Sequence, residues 1–149
     1  MKWIYNKEPI ENISQFPENT YGFVYKITHT PSNKSYIGKK ILYYQRKVKL
    51  GKKELAQYKG IVGRRPAYKL AIKESNWNDY WGSSKPLLEV LKDEPKSNFT
   101  KDILILAPTK KLLTYYETQF LFLYRVLEEP EMYFNDNILG KFFRRDFEI

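Results

Sequence analysis

Residues 22–38 read GFVYKITHTPSNKSYIG, and this stretch has the pattern of a β-hairpin. The segment from Tyr21, just before this stretch, to Ile27 is dense in the aromatic and β-branched side chains that favour strands. The turn formers proline, serine and asparagine follow between Thr30 and Lys34. A second strand through Ile37 completes the pattern. We therefore expect two adjacent antiparallel strands, each carrying one tyrosine.

Two helices and a third strand are predicted downstream of this hairpin. The run from Ser83 to Pro86 is a helix-start signal, and Pro95 ends the short helix that follows. Phe99 to Leu106 alternates and then runs apolar, which is typical of a central strand. Thr109 is a helix cap, and the apolar face after it predicts a helix that ends near Glu128.

The chain length of 149 residues indicates one main domain, and 42% hydrophobic residues provide enough material for a core. We expect residues 1–20 to form an N-terminal extension packed on that core, and residues 21–149 to form the domain itself. The domain includes a basic insertion, residues 39–73, which we expect to be part helix and part loop. It ends in a basic and aromatic tail, residues 140–145, that could touch phosphates. The predicted class is α+β, with a small mixed or antiparallel sheet of about three strands flanked by helices.

Positive charge is concentrated in the basic insertion. The whole chain carries a formal net charge of +9. Between Lys39 and Lys73 there are twelve Lys and Arg residues against one acid, Glu54, so this segment alone carries +11. Clustered cations gain affinity for phosphate backbones through counterion release, which indicates a polyanionic partner.

Several classes of protein are excluded or disfavoured by composition. The chain has no cysteine, which excludes disulfides, thiolate catalysis and cysteine-based zinc sites. The first residues lack the hydrophobic core of a signal peptide and no apolar run approaches membrane-spanning length, so we expect neither a signal peptide nor a membrane helix. We expect a soluble protein of the cytoplasm, or of the host cytoplasm if the gene belongs to a phage, with no membrane partner.

Glu117 is the best candidate for a functional carboxylate. It lies on the shoulder of the apolar face of the last predicted helix, flanked by Leu113 and Leu121. A charge at this position is costly unless a partner compensates it. That partner can be a metal ion or one of the many lysines, and the pattern alone does not separate a metal ligand from a neutralised glutamate at the core margin.

The other candidate residues also have a purely structural alternative. Arg46 lies in a run where most cations coat a solvated face, although its planar fork suits a phosphate. Tyr25 and Tyr36 would normally be packing residues. Either tyrosine could act as a base only if a metal ion or a nearby lysine lowered its pKa. The single histidine, His29, is expected at the surface in the hairpin turn.

The order of these residues resembles the GIY-YIG endonuclease family. The first tripeptide of that family corresponds to residues 23–25, with Phe23 in place of the usual glycine, and the second corresponds to residues 36–38. Arg46, Glu117 and Asn135 fit the family's downstream arginine, glutamate and asparagine. The resemblance implies a metal-dependent endonuclease that hydrolyses DNA, with both tripeptides on adjacent strands of a small sheet.

The resemblance also implies a role for each matched residue. Glu117 would hold Mg²⁺ or Mn²⁺, Tyr25 would be the base with Tyr36 assisting, and Arg46 would bind the scissile phosphate. Asn135 would brace the site, with Asn137 as the alternative match. The implied partner is double-stranded DNA, and both monomer and homodimer stay open. Contacts to DNA are expected from Lys39, Lys40, Lys47, Arg64, Arg65 and Lys85.

Residues 77–85 resemble a segment in a phage-associated branch of the family that includes homing-type endonucleases. Ser83, Ser84 and Lys85 at a helix start could bind a phosphate. The aromatic residues of the segment could equally be plain core, which we favour. Two alternatives to an enzyme are a noncatalytic nucleic-acid-binding module on the same fold and a protein-interaction module with an acidic partner.

Overall fold

The computed structural model describes residues 1–58, 60 and 67–148, and the chain divides into two compact units. The first unit comprises Met1–Leu42 and Asn76–Ile149, and the second comprises Tyr43–Ser75. Strands and helices of the first unit are β1 (Trp3–Tyr5), β2 (Glu8–Ile10), β3 (Gly22–His29), β4 (Lys34–Ile41), α2 (Lys85–Asp93), β7 (Phe99–Ala107), α3 (Lys110–Leu123), β8 (Asn137–Ile138) and β9 (Phe142–Phe143). Those of the second unit are β5 (Tyr43–Lys49), α1 (Lys52–Ala56) and β6 (Tyr68–Glu74).

The first unit is built on a five-stranded mixed sheet with the order β2-β1-β7-β3-β4. All neighbours are antiparallel except β1 and β7, which run parallel. The α+β class is therefore confirmed. The two strands beyond the predicted three come from the N-terminal segment, where Asn6 and Lys7 form a two-residue turn with positive φ angles of 50° and 68°. Three-residue strands joined without an Asn-Gly or Asp-Gly turn carry little sequence signal.

The predicted hairpin is confirmed, and its register determines which side chains share a face. Tyr25 pairs with Gly38 and Ile27 pairs with Tyr36. The face that carries Tyr25 packs into an aromatic core with Trp3 and Trp77. The opposite face, which carries Val24 and Ile37, packs into a second core that includes residues of α3.

His29 is not in the turn, so the expectation of a surface histidine is wrong. It is the last residue of β3 and is 8% exposed. Its Nδ1 lies 2.6 Å from the hydroxyl of Ser32, and its Nε2 lies 2.8 Å from a carboxylate oxygen of Glu94. The strand extends two residues past Ile27, which buries the imidazole ring against Phe99.

The helix α2 begins as predicted, since the Ser84 hydroxyl accepts a hydrogen bond from the Leu87 N–H and caps its first turn. The helix ends at Asp93, shortly before Pro95. The helices α2 and α3 are the two longest in the described part of the chain. Within the described ranges, no helix is both long and apolar enough to cross a bilayer.

The helix α3 begins after the predicted cap Thr109 but ends at Leu123, short of the predicted end near Glu128. Arg125 adopts a left-handed conformation with φ of 55°. The N–H groups of Arg125 and Val126 donate to carbonyls of the last turn in the pattern of a Schellman motif. Buried apolar residues continue after this turn, which is why the apolar pattern alone extends the helix too far.

The second unit is a β-hairpin, which corrects the expectation of part helix and part loop. The strands β5 and β6 pair antiparallel over seven residues each, and the short helix α1 lies between them in sequence. Every residue of these strands is exposed except Val48 and Ala71, which are half-buried. Because nearly all their side chains are exposed, the strands lack the apolar alternation by which a strand is predicted.

A buried lysine connects two segments of the first unit. Lys101 on β7 is 1% exposed, and its ammonium lies 4.2 Å from the ring centroid of Trp3 and 4.5 Å from that of Trp81. It also donates a 3.4 Å hydrogen bond to the carbonyl of Asn78. Burial lowers the pKa of Lys101 to about 8, while the two indole faces favour its charged form.

Candidate active site

Gly38 provides the space that Tyr25 occupies. The two residues pair directly across β3 and β4, so their side-chain positions lie on the same face. A Cβ atom at position 38 would lie 2.5 Å from the Cζ atom of the Tyr25 ring. Tyr25 is 1% exposed as a result of this close packing. The glycine of the second tripeptide is therefore required by the tyrosine of the first.

Tyr36 lies next to Tyr25 on the same face of the sheet, with 6.2 Å between the ring centroids. Its hydroxyl is 3.5 Å from the hydroxyl of Ser83. Gly82 has a positive φ of 86°, and a Cβ there would lie 3.1 Å from the Tyr25 hydroxyl and 3.2 Å from the Tyr36 ring. The chain at Gly82 and Ser83 thus lies against both tyrosines.

The segment of residues 77–85 contributes aromatic side chains to the core and a cap to α2. Trp77 is buried in the aromatic core, and the Tyr80 ring packs edge-on against Tyr25 at 6.0 Å. The Ser84 hydroxyl caps α2, while Ser83 is exposed beside Tyr36. Lys85 is exposed at the first position of the helix. The aromatic residues therefore belong to the core, and Ser83 is the member of the segment nearest the candidate site.

Glu117 faces the edge strand β4 from α3. Its carboxylate lies 3.9 Å from the Lys39 ammonium, and the side chain is 17% exposed. The same ammonium donates a 2.9 Å hydrogen bond to the hydroxyl of Thr114, one turn earlier on the helix. Burial raises the pKa of Glu117, and the positive charge of Lys39 partly offsets that rise. The carboxylate is therefore desolvated and only partly compensated, which favours binding of a further cation.

Asn135 closes the free edge of the sheet at the second tripeptide. Its Nδ2 donates to the Ile37 carbonyl at 2.9 Å, and its Oδ1 accepts from the Ile37 N–H at 3.1 Å. The preceding backbone continues this pairing, because the Ser35 N–H donates to the Met132 carbonyl and the Ser35 carbonyl accepts from Phe134. Asn135 is buried, so its amide replaces the neighbouring strand that β4 lacks.

Asn137, the alternative match, makes different contacts. It is exposed, its amide nitrogen donates to Asp136, and its amide oxygen accepts from the Gly140 N–H. It therefore shapes the short turn between β8 and β9. Of the two asparagines, only Asn135 hydrogen-bonds to the strand that carries the second tripeptide.

A cavity of about 320 Å³ opens at this edge of the sheet. Its ionisable groups come from the sheet edge, from α3 and from the segment after Asn135: Tyr36, Lys39, Glu117 and Asp136. Tyr25 is not among its lining residues. The complete lining is Tyr36, Ile37, Lys39, Glu117, Leu121, Asn135, Asp136, Asn137, Leu139 and Gly140.

Both tyrosines are held in their protonated form. Burial, followed by the nearby Tyr36, Tyr80 and Glu117, raises the pKa of Tyr25 well above its usual value. Burial also raises the pKa of Tyr36, against a lowering contribution from the Ser83 hydroxyl. The base role predicted for Tyr25 needs the opposite shift, and its hydroxyl is sequestered from the cavity.

The first unit brings together Tyr25, Tyr36, Lys39, Glu117 and Asn135. Lys40 lies on the other face from Lys39, where its ammonium is 4.1 Å from the Tyr80 ring centroid and donates to Asn76 at 2.7 Å. Burial lowers the pKa of Lys40.

The remaining predicted residues lie elsewhere in the chain. Arg46 and Lys47 belong to the second unit, where both are exposed on β5. Arg64 and Arg65 lie outside the described residues. Asp136 at the cavity and the proximity of Ser83 to Tyr36 were not predicted from the sequence. Neither residue has a periodicity or spacing signal, although Asp136 directly follows the chosen asparagine.

Arg144 in the C-terminal tail is half-buried and contacts the segment that precedes the tail. The Arg144 guanidinium donates a 2.8 Å hydrogen bond to the Tyr133 carbonyl and a second hydrogen bond to the Asn135 carbonyl. It therefore holds the segment that lies along β4. Arg145 stacks on the Phe143 ring at 4.3 Å. Phosphate contacts from the tail stay a prediction, and one guanidinium nitrogen of Arg144 is already hydrogen-bonded to the protein backbone.

The carboxylates at the cavity suit a hard cation that retains much of its water. Mg²⁺ is commonly bound through one or two carboxylates together with water and substrate phosphates. Glu117 and Asp136 line the same cavity. No group of three or more metal-binding side chains occurs in the described part of the chain.

The sequence model of one family, described as "Putative endonuclease segE, GIY-YIG domain", matches residues 3–138. No curated protein and no solved structure gives a significant match. The matched region covers most of the chain and includes the hairpin with both tripeptides, the helix with Glu117, and Asn135. The chain therefore belongs to the GIY-YIG nuclease family.

Proposed function

We propose that this protein is a metal-dependent endonuclease that hydrolyses phosphodiester bonds in DNA. The observation that carries the proposal is the desolvated Glu117 carboxylate, which faces Lys39 at 3.9 Å in a cavity that also contains Tyr36. A carboxylate, a cation and a hydroxyl are the groups required to hold a metal, neutralise a phosphate and position a water.

Lys39 and Tyr36, which line the cavity, each have a proposed role that follows from their position. The Lys39 ammonium supports charge neutralisation of a phosphoryl oxygen, because it is exposed toward the cavity and fixed by Thr114. Tyr36 is better placed than Tyr25 to orient the attacking water, since Tyr36 lines the cavity and Tyr25 does not. Tyr25 then positions Tyr36 by packing against it.

Glu117 would hold the divalent cation, Mg²⁺ or Mn²⁺, with Asp136 as the second carboxylate of the same cavity. Such an ion, when bound, polarises the phosphate and lowers the pKa of nearby water and hydroxyl groups. Asn135 supports this arrangement by fixing the backbone between Tyr36 and Gly38. Arg46 remains the candidate for an additional phosphate contact from the second unit, because its guanidinium can grip two phosphate oxygens.

The products would be a 5′-phosphate and a 3′-hydroxyl, from attack on phosphorus opposite the 3′ oxygen. One cavity of this kind cuts one strand at a time, so a double-strand break needs two copies or two successive nicks. A homing-type role and an origin in a phage, with action in the host cytoplasm, are part of the same proposal. They rest on the resemblance of residues 77–85.

The test is a plasmid assay with three proteins: the wild type, Glu117→Ala and the matched control Glu89→Ala. Glu89 lies on α2 as an exposed partner of Lys92, so its loss removes the same charge away from the cavity. Supercoiled plasmid is incubated with increasing Mg²⁺ or Mn²⁺ and with EDTA, and nicked, linear and degraded products are separated.

We expect metal-dependent cutting by the wild type and the control, and none by Glu117→Ala or in EDTA. Cutting that persists in Glu117→Ala would remove this residue from the site. Absence of cutting on plasmids of varied sequence, with all three proteins still shifting DNA in a gel, would instead support the noncatalytic binding module.

A further inference from the structure

The two units differ sharply in charge. The second unit, Tyr43–Ser75, contains ten Lys and Arg residues and two Glu residues, which gives it a net charge of +8. The remaining 116 residues carry the other +1 of the total of +9. Affinity for a polyanion is therefore expected to come mainly from the second unit.

The hairpin of the second unit has two distinct faces, which follow from its register. Lys47 pairs with Leu70, and Lys49 pairs with Tyr68. These four side chains share one face of the hairpin, and the half-buried residues Val48 and Ala71 both lie on the other face. We name the fully exposed face, which carries Lys47 and Lys49, the open face. It consists of Tyr43, Gln45, Lys47, Lys49, Tyr68, Leu70, Ile72 and Glu74.

The open face combines apolar and basic side chains. Tyr68, Leu70 and Ile72 are 57%, 61% and 70% exposed and form one row along β6. Lys47 and Lys49 stand across from them on β5. An exposed apolar row of this kind indicates an interaction surface, and the facing lysines indicate that the partner carries negative charge.

Double-stranded DNA fits both the chemistry and the dimensions of this face. Two paired strands lie about 4.8 Å apart and seven residues span about 23 Å, while the major groove of B-DNA is about 12 Å wide and admits such a ribbon. The groove offers thymine methyl groups to Leu70 and Ile72. It also offers adenine edges to Gln45, and phosphates along its rims to the lysines.

We infer that the open face of the β5–β6 hairpin docks in the major groove of double-stranded DNA and supplies most of the protein's DNA affinity. This inference rests on the proposed function for its substrate class. The cavity at Glu117 carries the chemistry, and the hairpin carries the binding. Loss of one function should therefore leave the other measurable.

The first test measures binding of a labelled duplex of about 30 base pairs in EDTA across a range of salt concentrations. Lys47→Gln/Lys49→Gln is compared with Lys7→Gln/Lys92→Gln, which removes two exposed lysines from the first unit. The hairpin pair should reduce the slope of log K against log salt by about 2 and weaken binding roughly 10–100-fold at 0.1 M salt. The control pair should leave the slope unchanged. An equal reduction by both pairs would overturn the inference, because total charge alone would then explain the binding.

The second test examines the groove. Leu70→Ser/Ile72→Ser is measured on a thymine-containing duplex and on the same duplex with uracil throughout, which lacks the major-groove methyl groups. The wild type should bind the thymine duplex several-fold more tightly than the uracil duplex, and the variant should bind both alike. Circular dichroism checks that the variants are folded. A variant that keeps the wild-type preference for thymine would overturn the groove placement, as would one that changes only self-association or binding to anionic vesicles.

These binding measurements separate the inference from the proposed function. If cutting depends on Glu117 but the hairpin variants bind the duplex as tightly as the wild type, only the docking surface is overturned. A hairpin that controls duplex binding in a protein that never cuts would retain the docking surface and overturn the nuclease. Absence of duplex binding by the wild type in EDTA at low salt would overturn the docking surface in either case.

Discussion

The two units of the chain differ in how many apolar side chains they bury and in their net charge. The first unit holds nearly all of the buried apolar residues described. Its tyrosines pack closely against Gly38 and Gly82, and Asn135 hydrogen-bonds to the backbone of Ile37. The second unit has the net charge of +8, and Leu50 is its one buried apolar side chain among the residues described. A site that must hold a desolvated carboxylate needs rigid packing, whereas a polyanion-binding surface needs exposed charge. Binding and chemistry should therefore respond to different substitutions.

The largest effect is expected from Glu117→Gln, which keeps the shape of the side chain and removes its charge. Cutting of plasmid should fall by roughly 10²–10³-fold, the loss typical of one preorganised catalytic interaction. Duplex affinity in EDTA should change by less than about twofold, because the substitution lies outside the basic unit. Glu89→Gln is the control. A parallel loss of affinity and cutting would contradict the division of roles.

The next effect concerns the close contact beneath the second tripeptide. Gly38→Ala would place a Cβ atom 2.5 Å from the Tyr25 ring, and the strand or the ring must shift. We expect a loss of about 3 kcal/mol in the free energy of unfolding, at the upper end for an overpacked core. Gly51→Ala is the matched control in the second unit, where an added Cβ has no atom within 4 Å. Urea denaturation measures both, and equal stabilities would show that the Tyr25 ring relaxes freely.

A smaller effect distinguishes the two candidate asparagines. Asn135→Ala leaves the buried N–H and carbonyl of Ile37 without partners, which should cost about 2 kcal/mol in the free energy of unfolding and reduce cutting. Asn137→Ala affects an exposed turn and should stay within about 0.5 kcal/mol. Similar effects of the two substitutions on stability and cutting would show that the hydrogen bonds between Asn135 and Ile37 contribute little to the site.

Elements that depend on nearby residues could be predicted from the sequence. The hairpin of β3 and β4 has a local turn and a dense strand pattern, and α2 has a local cap at Ser84. Glu117 was identifiable because a charge on an apolar helix face is costly. Each of these signals lies within a few turns or strands of the residue concerned.

Features that depend on distant contacts or on exposed structure could not be predicted in the same way. Asn135 hydrogen-bonds to Ile37, 98 residues earlier in the chain, and only the fold brings them together. The strands β5 and β6 were missed because exposed ladders have no apolar periodicity. The C-terminal end of α3 was not predicted because Arg125, and not a glycine, adopts the left-handed backbone conformation that ends the helix.

The smallest effect tests the buried charge that the first unit tolerates, in contrast to the exposed charges of the second. Lys101 has a pKa of about 8 in the folded protein and 10.5 as its reference value. Between these pH values the unfolded chain binds more protons, so the stability of the folded state should rise with pH. The destabilising contribution is complete below pH 8 and disappears as the pH approaches 10.5.

Lys101→Met removes this titration and keeps an unbranched side chain between Trp3 and Trp81. The two pKa values alone would raise the free energy of unfolding of the wild type, relative to that of the variant, by about 2 kcal/mol from pH 8 to pH 10. Because the two indole faces stabilise the ammonium, we expect a rise of about 1 kcal/mol. The tyrosines with raised pKa values contribute equally to both proteins, so the difference isolates Lys101. Urea denaturation followed by tryptophan fluorescence measures it, with the exposed Lys92→Met as control. A difference that stays constant with pH would mean that the two indole faces fully compensate the burial of the ammonium. Lys101 would then be a charged link between β1 and residues 77–85, and its burial would not lower the stability of the folded state.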